Sequence, residues 1–74
     1  METNKIYFIS AVRNKRMVNG HARVLGIQDN LFDGEKEYFL HFAIHGEYLL
    51  KEKEIKEVSE GDEESWEYES LLVS

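Results

Sequence analysis

Apolar and polar residues alternate with a period of two along much of this chain. The pattern is clearest from Glu37 to His45, where Tyr38, Leu40, Phe42 and Ile44 share one side and Glu37, Phe39, His41, Ala43 and His45 the other. Strand side chains point alternately to the two faces of a sheet, so this segment predicts a strand with the first set inside. Lys5 to Val12 places Ile6, Phe8 and Val12 on one face and Tyr7, Ile9 and Ala11 on the other. A strand apolar on both faces suits a central position. Met17 to Ala22 contains Asn19-Gly20, a pair that supplies the two positive φ angles of a type I′ turn and so predicts a two-residue hairpin there. Arg23 to Gln28 continues its second arm. After His45-Gly46, Glu47 to Leu50 predicts another short strand. In the charged run that follows, Ile55 and Val58 lie three apart, which fits a short helical turn near residues 51–57 or a further strand. Trp66 to Val73 reads two ways. Trp66, Tyr68 and Leu72 alternate with Glu67 and Glu69 and favour a strand, whereas a helix capped by Asp62 would place acids in its first turn.

Five or six short strands with little helical periodicity define a mainly β protein. The 74 residues include no Cys and no Pro. A chain of this size forms one small domain burying about 60% of its unfolded surface. A curled antiparallel sheet closing into a partly open barrel is the economical solution, because closure removes exposed edges. Gly26, inside a strand-like run, marks the expected bend. Residues 1–58 form the predicted barrel; residues 59–74 are an acidic, aromatic segment expected to be its last strand or a tail of the same domain.

Three stretches, His21 to Gly26, Glu37 to Phe42, and Tyr48 to Leu50 with Ile55 and Val58 following, together resemble SH3-like barrel modules of the Tudor and chromo-barrel type. The resemblance covers about residues 5–58. It implies a five- to six-stranded antiparallel SH3-like barrel in which the first stretch is the bending strand, the second the central strand and the third the closing strand. It also implies an aromatic cage for methylated Lys or Arg, with Tyr7, Phe39 and Tyr48 as the rings at hand. The Trp usual in that cage has no counterpart between His45 and Tyr48.

Charge changes the picture most. The formal net charge is −6, yet residues 1–28 hold five basic residues and one acid, while residues 29–74 hold fourteen acids and four lysines. Arg13, Lys15, Arg16 and Arg23 cluster on or beside the predicted hairpin and could meet phosphates, as in direct nucleic-acid binding; the acidic balance of the whole argues the other way. From Ser59 onward there are six acids and no base, with Trp66 and Tyr68 embedded among them. Glu63, Glu64, Glu67, Glu69, Trp66 and Tyr68 are therefore candidate contacts to a basic partner. His41 and His45, four apart on a strand, would sit about 13 Å from each other and could not chelate one ion. With no Cys nucleophile, Gly-x-Ser-x-Gly turn or Gly-rich phosphate loop, neither an enzyme nor a cofactor is expected. No apolar run approaches the ~18–20 residues of a membrane span, and Met1 to Lys5 does not begin a signal peptide, so a soluble cytoplasmic protein is expected. The function expected is a non-catalytic module binding a protein or peptide partner. The alternative is an acidic, phage-type inhibitor that mimics nucleic acid and blocks a basic nucleic-acid-binding protein.

Overall fold

A computed structural model describes residues 1–73. It contains β1 (Ile6–Arg13), β2 (Arg16–Asp29), β3 (Lys36–Phe42), β4 (Gly46–Lys51), a 3₁₀ turn (Glu52–Glu54), β5 (Ile55–Glu60) and α1 (Glu63–Leu72). The strands form one antiparallel sheet in the order β4-β3-β2-β1-β5. The small, mostly β architecture read from the alternation is the one observed, and β1 lies inside the sheet as its two apolar faces predicted.

Period-two order builds the interior. Ile9 and Ala11 of β1, Val18, Ala22 and Val24 of β2, Tyr38, Leu40 and Phe42 of β3, and Leu50 of β4 form a single buried cluster. Phe42, Ile9, Leu40, Leu50 and Val24 are its largest fully buried side chains. Ile44 departs from its predicted inward position: β3 ends at Phe42, the alternation lapses in the following turn, and Ile44 is exposed.

The first hairpin turns five residues earlier than predicted. Its register pairs Arg13 with Arg16, and Asn14 and Lys15 between them adopt φ of 51° and 66°. These are the left-handed values of a two-residue hairpin loop, which Asn tolerates well. Asn19 and Gly20 instead lie within β2, opposite Ser10 and Ile9. A turn at Asn19 would have divided the run in which Val18, Ala22 and Val24 line the core with Ile9 and Ala11. Gly26 behaves as expected: the β2–β3 register shifts between Val24 and Gly26, leaving Leu25 as the extra residue of a bulge.

The C-terminal segment is a helix, not the favoured strand. Asp62 is extended, and its side chain accepts from the Ser65 N–H at 2.7 Å. With Glu63 and Glu64 in the first turn near the positive end of the helix dipole, this cap outweighs a four-residue alternation. Gly61 makes the entry possible: a Cβ there would fall 2.9 Å from the His21 ring and 3.3 Å from the Tyr7 backbone carbon.

Candidate functional site

Three surfaces carry the chemistry that the fold leaves available, and α1 meets the sheet at one of them. Arg23 and His41 are register partners on β2 and β3, so they share a face, and α1 lies against it. Trp66 donates its indole N–H to the His41 carbonyl at 3.0 Å and stands edge-on to the His41 ring. The Arg23 guanidinium lies 5.1 Å from the Trp66 ring centre and pairs with Glu63. One turn further on, Glu69 pairs with His21 and accepts from the His21 backbone N–H. Thus Trp66, Glu63 and Glu69, predicted to meet a partner, hold the helix to its own sheet. Glu64, Glu67 and Tyr68 face solvent, with Tyr68 at 65% exposure.

The basic cluster is likewise divided. Arg23 is occupied at the α1 junction, whereas Arg13, Lys15 and Arg16 surround the hairpin tip. Arg13 donates from Nη1 to the Leu49 carbonyl of β4 at 2.7 Å. A groove of about 460 Å³ opens there, lined by Arg13, Asn14, Arg16, Val18 and Tyr48.

The aromatic residues proposed for a cage do not converge. Tyr7 and Tyr48 pack partly buried against the core, and the Tyr7 hydroxyl accepts from the Glu2 backbone N–H at 3.0 Å. Tyr48 meets the Phe42 ring edge-on. Because Tyr48 pairs with Leu40, the neighbouring Phe39 points from the opposite face of the sheet. His41 and His45 also part company, the first against Trp66 and the second against Phe42. Among the described residues no group of three His, Cys, Asp or Glu side chains could hold a metal ion, and no helix is long and apolar enough to cross a membrane.

The third surface was not anticipated. Between β2 and β3 the chain displays Leu31 and Phe32 at 96% and 101% exposure. Their loop is tightly organised. Asn30 Oδ1 accepts from the N–H groups of Phe32 and Asp33, and the Asn30 carbonyl accepts from Gly34 N–H. The Asn30 N–H donates to the Glu35 carbonyl, closing the loop at 2.8 Å. Asp33 accepts from the Glu35 N–H at 2.9 Å and from Lys51 Nζ at 3.0 Å. Those two contacts, the backbone N–H first, hold the Asp33 carboxyl below the usual aspartate range, and Asp33 in turn raises Lys51. The run Asn30 to Gly34 carries a sequence signal for this arrangement, since Asn and Asp side chains bond backbone a few residues on and Gly closes the turn. Gln28, Asp29 and Glu37 flank the apolar pair. Comparison with protein-family models, with curated proteins and with solved structures found no match.

Proposed function

We propose that this protein is a non-catalytic binding module that engages a folded protein partner, with Leu31 and Phe32 entering an apolar pocket on that partner. One observation carries the reading: two large apolar side chains stand almost wholly in water on a loop whose backbone is held by its own polar side chains. A loop already ordered in the free protein loses little conformational freedom on docking, and large apolar anchors of this kind dominate interface energetics. Burying each side chain would contribute about 1.5–3 kcal/mol. The flanking carboxylates of Asp29 and Glu37 favour a pocket with a basic rim and oppose an anionic bilayer. The strand order, with a 3₁₀ turn between β4 and β5, supports an SH3-like barrel as the scaffold.

The test compares proteins retained at micromolar concentration by the immobilised full chain with those retained by Phe32→Ser. Circular dichroism establishes that both are folded. A partner held by the parent and lost by the variant is the expected result. Retention of the same proteins by both would remove the loop from the interface, and no retained protein at all would remove the binding role. The acidic-inhibitor reading rests on the outward Glu64 and Glu67 beside Tyr68. It predicts a partner that nucleic acid displaces, and whose capture survives Phe32→Ser but not Glu64→Gln with Glu67→Gln.

A further inference from the structure

We infer that the groove between the β1–β2 hairpin tip and β4 is a binding site for single-stranded nucleic acid, taking a phosphate between Arg13 and Arg16 and a base beside Tyr48. The inference goes beyond the protein-binding role and rests on a different part of the molecule. Charge bookkeeping around the fold points to it. Lys5, Arg23, Lys36, Lys51 and Lys53 each have a carboxylate partner within 4.0 Å. Among the described residues, Arg13, Lys15, Arg16 and Lys56 have none, although the chain holds 15 Asp and Glu. Lys56 lies alone on β5, bonded to the Lys53 carbonyl, and the other three cations without a carboxylate partner gather at one hairpin tip.

The backbone then forces two of these cations together. Arg13 and Arg16 are directly opposite each other across the two-residue turn. Side chains so paired project from the same face with their Cβ atoms about 4.5–5.5 Å apart, and like charges in that position destabilise a sheet. An anion between them removes the repulsion. Arg13 is also pre-positioned: its bond to the Leu49 carbonyl uses one of five N–H donors and fixes the guanidinium at the wall of the groove. The remaining donors suit the bidentate capture of phosphate oxygens.

Tyr48 decides the class of anion. Its ring lines the same groove, is only partly buried and is braced from within by Phe42 at 5.8 Å between ring centres. Arginines beside one accessible ring match a nucleotide, whose phosphate and base lie on neighbouring parts of the chain. The volume of about 460 Å³ is sufficient for one such unit. An open groove that offers base edges a single side-chain amide, that of Asn14, suits a strand passing through with little sequence preference.

The experiment titrates the full chain at low salt with an oligothymidylate, and separately with inorganic phosphate, following backbone and Tyr48 ring signals by NMR. The expected result is a set of shifts confined to residues 12–18 and 47–50. Affinity should fall with a log–log salt slope of about −2 if three cations are engaged. Arg16→Ala, at an exposed position, should weaken the oligonucleotide several-fold. Tyr48→Leu, which keeps an apolar side chain against Phe42, should weaken the oligonucleotide about fivefold or more while leaving phosphate binding unchanged. No shift with either probe overturns the site. Equal losses of phosphate and oligonucleotide in Tyr48→Leu, or binding by Arg16→Ala equal to the parent's, overturn the assigned roles. Shifts on α1 or on the Asn30–Glu35 loop would place the contact elsewhere and overturn the inference as well.

Discussion

Helix α1 turns one aromatic side chain and two carboxylates onto the sheet and leaves Tyr68, Leu71 and Leu72 exposed, whereas the β2–β3 loop turns its polar atoms in and both of its large apolar side chains out. In α1 the aromatic residue nearest the sheet, Trp66, is turned inward, and two of the segment's carboxylates close on Arg23 and His21. In the loop the polar atoms of Asn30 and Asp33 are turned back onto the backbone, and Leu31 and Phe32 are turned out. Of the aromatic side chains tempting from sequence alone, Tyr7, Tyr48 and Trp66 belong to the architecture, while Phe39 and Tyr68 are exposed. Leu31 and Phe32, which composition hides, are more exposed than either. An acidic, aromatic segment thus works as a clasp here, while a turn-forming stretch works as a display.

Stability measurements can break this contrast. Trp66→Ala should cost about 2 kcal/mol, below the ~3–5 kcal/mol of a fully buried aromatic such as Phe42, because Trp66 is only partly buried. Phe32→Ser should change stability by no more than about 0.5 kcal/mol, as expected at a position without contacts to lose. Chemical denaturation of both variants reads the difference directly. Equal losses would mean that loop and helix are equivalent parts of the fold, and the distinction between clasp and display would fail.

Asn30→Ala sharpens the same point at a smaller scale. It removes the acceptor shared by the Phe32 and Asp33 N–H groups and should cost about 1 kcal/mol, with faster amide exchange from residue 32 to 35. If Leu31 and Phe32 bind because they are held ready, this substitution weakens partner binding while leaving both side chains in place. Binding unchanged by Asn30→Ala would show that the anchors act without the ordered loop.

Much of the sheet was legible from the chain alone, because the period-two pattern from Tyr38 to Phe42 follows directly from which face is wet. The same rule failed at Ile44, where the strand had already ended. The hairpin was misplaced because Asn19-Gly20 has the stronger local preference for a turn, whereas Asn14-Lys15 is chosen by the pairing of Ile9 and Ala11 with the β2 core residues. Local preference gave way to tertiary packing. For α1, the alternation from Trp66 to Glu69 is too short to outweigh the cap that Asp62 supplies. The division of the basic cluster could not be read at all, since Arg23 meets Glu63 across forty residues of sequence. Nor could the exposure of Leu31 and Phe32, which depends on where the rest of the sheet stops.

The two regions also differ in what holds their aspartates ionised. Asp62 is kept below the ordinary value of 3.8 chiefly by the Ser65 backbone N–H, and Asp33 by the Glu35 N–H followed by the Lys51 ammonium. A depressed folded-state value makes each a source of stability that is present above the unfolded value and lost as pH falls through the lower, folded one. Acidification should therefore loosen both the helix start and the loop below about pH 3.8, the unfolded reference for both groups. Salt separates them. Screening weakens attraction between exposed charges far more than a short backbone contact, so raising ionic strength should relieve the Lys51 part of the Asp33 shift, leave the Glu35 N–H part in place, and leave Asp62 nearly unmoved. Carboxyl carbon NMR at two salt concentrations measures both midpoints in one sample. An Asp62 midpoint that follows salt as closely as that of Asp33 would show that the helix start depends on neighbouring charge as much as on its own cap.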